Sequence, residues 1–226
     1  MAKGMKKVCP YILIAFFGLA MECYALSLDE LITRLQGNYD QITDIQARFS
    51  QEYINKSFNQ VKRAEGRVYF KKPGMMRWKY RKPVRQEMVS DGSILWFYQP
   101  EDNQVIVGEI SKTIRAKTPT AFLSGEGNLR RDFRILSPKG ESQRDGPWYL
   151  LELAPIEPQV DIQRLVLRVD TKSFLIVQTE IYDAFENVNR THFSGIKVNR
   201  NLPDSLFTFI IPPGTQVLRS PGESTR

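Results

Sequence analysis

Side-chain catalysis needs an imidazole, a thiolate, a paired carboxylate or an activated hydroxyl within reach of a partner, and this chain offers few such sets. Its one histidine, His192, stands between Thr191 and Phe193 with no second imidazole beside it to build a metal set. It reads as a solvent-facing or hydrogen-bonded structural residue. The two thiols, Cys9 and Cys23, both lie close to the N-terminus. Asp and Glu number 25, and two of them meeting across a sheet would serve glycoside hydrolysis. That chemistry needs a fixed separation, whereas these carboxylates fall mostly in turns and at the polar positions of alternating runs. Ser124-Gly125 and Ser194-Gly195 lack the Gly-x-Ser-x-Gly setting of a strained nucleophile turn, and no glycine fingerprint for phosphate or dinucleotide is present. The sequence therefore assigns no catalytic residue, no metal ligand and no cofactor.

One stretch mixes aromatic and cationic side chains closely: RVYFKKPGMMRWKYR, residues 67–81. Such a mixture can stack on bases and neutralise phosphates in single-stranded nucleic acid. Here most aromatics keep one parity and most cations the other, which is how a half-buried strand is written, so no nucleic-acid partner is expected.

The elements that carry these residues follow from periodicity. Ser27 and Glu30 form a capping-box pair, and Leu28, Leu31, Ile32 and Leu35 recur at helical spacing, predicting one amphipathic helix ending near Gly37 to Tyr39. The period then becomes two. Ile45, Ala47, Phe49, Gln51 and Tyr53 alternate with Gln46, Arg48, Ser50 and Glu52, and residues 61–71 and Met75 to Tyr80 continue the pattern. Asp91-Gly92 between Val84 to Ser90 and Ser93 to Gln99 predicts a tight hairpin, and Pro100 to Asn103 turns the chain into Gln104 to Glu109. Thr118-Pro119 then opens a short helix through Ala121-Phe122-Leu123, stopped by Gly125 and Gly127. Further strands are expected at Phe133 and Ile135, Trp148 to Leu153, Leu165 to Val169, Phe174 to Ile181, Asn187 to Val198 and Thr208 to Ile211. Ten or eleven strands without βαβ alternation predict a mainly β domain with some α: a single twisted antiparallel sheet with a short helix lying across one face.

Residues 1–25 read as a cleaved secretory signal. Lys3, Lys6 and Lys7 precede an apolar run from Tyr11 to Met21, and Cys23-Tyr24-Ala25 ends it in a small-residue site. The run is roughly half the ~20 residues a membrane span needs. Acylation at Cys23 would make a lipoprotein instead, but Glu22 occupies the place where such signals carry a small residue. Cleavage removes both cysteines and leaves one domain, residues 26–226, that must hold together by packing alone. The net charge of +7 falls with the three lysines removed but stays positive. It reads as a mildly basic surface, with attraction to an acidic membrane or partner as the alternative.

Several pieces in order carry a resemblance: Phe49-Ser50-Gln51, then Lys72-Pro73-Gly74 with Arg77-Trp78-Lys79-Tyr80, then Val89-Ser90-Asp91-Gly92 with Leu95-Trp96-Phe97-Tyr98-Gln99-Pro100, Thr118-Pro119, and Phe207-Thr208-Phe209 to Pro212-Pro213-Gly214. Together they resemble the LolA family of periplasmic outer-membrane lipoprotein carriers over essentially the whole exported chain. The resemblance implies an unclosed antiparallel β-barrel of about eleven strands whose concave apolar face is covered by short lid helices. It also implies a monomeric periplasmic chaperone that receives triacylated lipoproteins from an ATP-driven inner-membrane release complex and passes them to an outer-membrane acceptor. A lipid-sensing regulatory module and the outer-membrane acceptor itself, which share the fold, are the alternatives. Leu31, Leu35, Phe49, Phe70, Met76, Trp78, Leu95, Phe122 and Leu123 are the candidate cavity residues. Trp78 reads as cavity lining, and Met76 suits either a surface that repacks around acyl chains or ordinary core. Family members commonly place an arginine where this chain has Lys72, latching the lid through backbone carbonyls that would lie near Leu123 and Ser124. Lysine donates too, but without the planar fork.

Mass spectrometry of protein exported by its host should find Leu26 at the N-terminus; a chain beginning at an acylated Cys23 would overturn the signal-peptide reading.

Overall fold

The computed structural model describes residues 26–109, 122–123, 127–137 and 143–219. The expected signal segment, the helix start at Thr118-Pro119, and Ser124 lie outside them. Helix α1 (Leu28–Gln41) begins as its sequence specifies: the Ser27 hydroxyl accepts from the Glu30 amide at 3.1 Å, relieving one of the unpaired donors of the first turn. The helix passes through Gly37 and ends at Gln41, two residues beyond the expected stop.

Thirteen strands then form one sheet. In chain order they are β1 (Asp44–Asn55), β2 (Gln60–Lys71), β3 (Met75–Lys82), β4 (Gln86–Asp91), β5 (Ile94–Gln99), β6 (Gln104–Glu109), β7 (Phe133–Ile135), β8 (Gln143–Asp145), β9 (Trp148–Pro155), β10 (Arg164–Asp170), β11 (Ile176–Tyr182), β12 (Val188–Val198) and β13 (Gln216–Arg219). The spatial order is β13-β6-β5-β4-β3-β2-β1-β12-β11-β10-β9-β7, with β8 sharing the outer edge of β9, so β13 and β7 are free ends and the sheet does not close. A second helix, α2 (Leu129–Asp132), leads into β7. The β4–β5 hairpin turns at Asp91-Gly92 as expected: Gly92 takes φ +96°, and the Asp91 carboxylate accepts from the amides of Ser93 and Ile94.

Register fixes the two faces. Ile45 pairs with Phe70 and Phe70 with Met76; Ala47 pairs with Val68, Val68 with Trp78 and Trp78 with Met88. These side chains share the concave face, continued by Phe193 on β12 and by Leu165, Leu167, Leu151 and Leu153 on β10 and β9. Gly66 sits opposite Phe49 because nothing larger fits: a Cβ there would lie 2.0 Å from the Lys79 carbonyl oxygen and 2.8 Å from the Phe49 ring.

The C-terminal region corrects the sequence reading. Residues 208–211 are not a strand. After a 3-10 turn (Asp204–Phe207) they run over the convex face, where Phe207 is buried and Phe209 lies 5.3 Å from the ring of Tyr98 and 6.5 Å from that of Trp96. Alternating apolar residues beside paired prolines are used here to cover a patch, not to extend a ladder. The strand that does form is β13, and it runs parallel to β6, so the sheet is not wholly antiparallel. Phe174, expected within a strand, instead has φ +53° in the turn before β11.

On the convex face Glu180 links neighbouring strands. Burial acts to raise its carboxyl, but hydrogen bonds from the Tyr182 hydroxyl and the Arg190 guanidinium prevail and hold it below the usual range. Asp170 is lowered by hydrogen bonds from the Ser173 amide and hydroxyl. A carboxylate lowered in the folded state adds stability that is complete above its unfolded value, about 4, and is lost as pH falls through the folded value. Urea midpoints should therefore drop below pH 4. Glu180→Gln should lose on the order of 1–3 kcal/mol at pH 7 and differ less from the parent at pH 3; an equal deficit at both pH values would contradict the assignment.

Candidate functional site: the covered apolar face

α1 lies on the concave face with Leu28, Leu31, Ile32, Leu35 and Tyr39 turned inward and buried. Fully burying a side chain of this size contributes roughly 1.5–3 kcal/mol, which is what keeps the helix on the sheet. Phe122 and Leu123, in helical conformation, complete the cover; the Phe122 ring lies 4.8 Å from that of Tyr39, and Gly127 passes so close to Phe122 that a Cβ would sit 2.9 Å from its Cα. Below them is an aromatic set: Phe49 is 4.9 Å from Trp78 and 5.0 Å from Tyr80, and Trp78 is 5.8 Å from Phe70 and 6.2 Å from Phe193.

All nine candidate cavity residues, from Leu31 and Leu35 on the helix to Leu95 on β5 and Phe122 and Leu123 in the cover, fall in one buried cluster. Trp78 and Met76 are both buried there, 8% and 1% exposed. Among the described residues, the space bordered by Tyr39, Ile45, Ala47, Phe70, Leu123 and Phe193, among others, is ≈ 10 Å³, about the room that one water molecule needs, roughly 10–15 Å³. Among the described residues this part of the interior is filled by the protein's own side chains. The roomier depressions, ≈ 330, 310 and 230 Å³, are on the convex face among charged and polar residues, and His192 borders one of them, exposed.

Polar ties hold the cover at one end. The Lys72 ammonium donates to the Tyr39 carbonyl oxygen at 2.6 Å and to that of Asp40 at 3.1 Å, serving the last turn of α1, which has no basic residue of its own. Its described partners are therefore on α1; Leu123 is buried beside this helix, and Ser124 is outside the described residues. Asn38 donates to the carbonyls of Ser173 and Phe174, and the Tyr39 hydroxyl accepts from the Ile176 amide at 3.0 Å. Toward the other end Arg130 reaches Asp29 and Thr33, and between the two the Leu129 amide donates to Gln36. Lys71, one residue before Lys72 and so on the opposite face, donates to the Leu202 carbonyl and pairs with Asp204, holding the convex covering instead. Sequence reading missed Asn38, Tyr39 and the buried Asp44, which accepts from the Arg200 and Asn201 amides; their partners lie more than a hundred residues away. Burial pushes the Tyr80 phenol up to about 12 and also raises the Tyr39 phenol, with the Ile176 amide opposing. Among the described residues no group of three metal-ligating side chains occurs, and no helix is long and apolar enough to cross a membrane.

An unclosed, mostly antiparallel sheet with a helix tied across its apolar face is the class of fold that this chain adopts. The chain belongs to the LolA family: residues 40–210 match the family described as outer membrane lipoprotein carrier protein LolA. Proteins named outer-membrane lipoprotein carrier protein are similar to it in Nitrosospira multiformis (32% identical, covering 83% of this chain and 87% of the relative) and in Nitrosomonas europaea (32%, 77% and 82%). A crystal structure of an uncharacterised conserved protein from Thermus thermophilus shares the fold, with TM-score 0.54 and 16% identity over 85% of this chain and 98% of that one.

Lys72→Leu should lower stability by about 1.5–3 kcal/mol, the range for hydrogen bonds to a charged group, and raise binding of a solvent-sensitive apolar dye. Lys72→Arg should recover most of both. Urea titration and dye fluorescence measure this; unchanged values in Lys72→Leu would remove the residue from the latch.

Proposed function

We propose that this protein is a periplasmic chaperone that takes lipoprotein acyl chains into its apolar interior and carries them to the outer membrane. The observation that supports the reading is the covered apolar interior: nine apolar side chains from helix, sheet and cover meet in one cluster, and the described space beside them is ≈ 10 Å³. In a LolA-family chain, that cluster is the binding surface in its resting state.

The mechanism is an exchange of coverings. Moving α1 and the Phe122 segment away exposes apolar surface at about 25 cal/mol per Å², which would be prohibitive in water. A triacylated cargo re-covers the same surface and removes its own chains from water, each buried methylene contributing about 0.8 kcal/mol. Only the difference between the two coverings shifts the balance, so a latch of a few hydrogen bonds at Lys72 and Asn38 is strong enough to favour the closed state and weak enough to yield. Met76, unbranched and polarisable, suits a wall that meets side chains in one state and acyl chains in the other. No bond is made or broken by the protein. Direction comes from outside it: an ATP-driven release complex in the inner membrane loads it, and an outer-membrane acceptor with greater affinity unloads it.

The test is extraction. Purified protein added to spheroplasts that retain an outer-membrane lipoprotein should release it as a soluble complex, and Lys72→Leu should take up cargo normally but pass less of it to acceptor-bearing membranes. Lipoprotein that stays in the spheroplast membrane would refute the carrier reading.

A further inference from the structure

Positive charge that looks evenly spread in the sequence is gathered in the fold. The β1–β2 hairpin turns at residues 56–59 and the β3–β4 connection at residues 83–85, both at the end of the sheet remote from Lys72 and the last turn of α1. Pairing of β2 with β3 stops at Glu65 and Lys82, so the hairpin runs on past its neighbour. At its tip Phe58 is 73% exposed, and Val61 is 47% exposed beside it. Lys56, Lys62 and Arg63 flank this tip, and Arg81, Lys82 and Arg85 stand on the adjoining strand end and turn. The carboxylates of β1 and β2 here are already engaged, Glu52 with Arg63 and Arg190 and Glu65 with Lys82. Among the described residues Lys56, Lys62, Arg81 and Arg85 form no ion pair. The turns on either side are acidic, with Asp183 and Glu186 after β11 and Glu101 and Asp102 after β5.

We propose that this corner is a membrane contact, at which Phe58 enters the headgroup layer of an anionic phospholipid surface while Lys56, Lys62, Arg81 and Arg85 meet the phosphates. An aromatic raised between cations matches an interface where an apolar and an anionic layer are stacked within a few ångström. An acidic protein face would satisfy the cations and leave Phe58 without an apolar partner. The acidic turns on both sides limit the contact to this corner and so orient the molecule, leaving the latch end of the cover free. The inference goes beyond the carrier reading and does not depend on it.

Protein purified from the periplasmic fraction should sediment with vesicles of phosphatidylethanolamine and phosphatidylglycerol, and not with vesicles of phosphatidylcholine alone. A cation near such a surface is worth about fivefold in binding, so Lys56→Glu with Lys62→Glu should weaken it by tenfold or more. Phe58→Ser should weaken it about tenfold through lost apolar contact. Lys172→Glu with Arg200→Glu, the same charge change at the opposite end, should leave it unaltered. No binding to the anionic vesicles, or equal loss from both charge reversals, would overturn the proposal. So would binding restricted to native membranes that Phe58→Ser leaves untouched, which would assign the corner to an acidic protein. Vesicle binding with failed lipoprotein extraction would sink the carrier reading alone, and extraction without vesicle binding this one alone.

Discussion

A sheet with one apolar face and two free ends cannot stand in water until something lies on that face. Closing the sheet into a full barrel would seal the interior permanently; leaving it open transfers the task to a separate covering. In this chain α1 and the segment at Phe122 do that, and the rest of the structure is arranged around keeping them in place. The bulk of the holding is non-directional burial. Direction and register come from a few polar ties, Lys72 and Asn38 at the C-terminal end of the helix, Gln36 just before them, and Arg130 toward the N-terminal end. Their division of labour matters, because burial sets how much is lost on opening while the ties set where opening starts.

Lys71 and Lys72 show how economically strand geometry distributes these ties. Consecutive residues at the end of a strand point to opposite faces, so one lysine holds the helix over the concave side and its neighbour holds the C-terminal segment over the convex side. Both reach backbone carbonyl oxygens, which no side-chain substitution on the covering can remove. The two coverings differ in what they protect. The concave one shields a large cluster with aromatic rings at its floor; the convex one shields a smaller patch around Trp96 and Tyr98 with Phe207 and Phe209.

Much of this was legible in the sequence because it is local. The Ser27 cap, the inward stripe of α1, the alternation from Ile45 to Tyr53 and the Asp91-Gly92 turn depend on neighbours a few residues apart, and the structure shows each of them. The nine apolar candidates come with the family resemblance; those from Leu31 to Trp78 also sit on periodic faces read from the sequence, and all nine meet in one buried cluster. What periodicity cannot supply is the identity of a distant partner. The pairing of Lys72 with the end of α1, of Asp44 with Arg200 and Asn201, and of Asn38 with the turn after β10 depends on topology. Residues 208–211 alternate as a strand would, yet the edge they would have joined goes to β13, a stretch whose side chains are all exposed and carry no burial signal.

That last strand also changes what the margins of the sheet present. An unclosed sheet presents rows of unsatisfied amides and carbonyls at its margins, and a long bare margin is a template on which further copies can add indefinitely. Among the described residues the parallel pairing of Gln216 to Arg219 with Gln104 to Val107 occupies most of β6 and leaves a margin of four residues. The other margin is broken into two three-residue pieces, β7 and β8, placed end to end along β9. Among the described residues neither margin is a long uninterrupted ladder, so the openness of the sheet at its two ends comes with little bare edge.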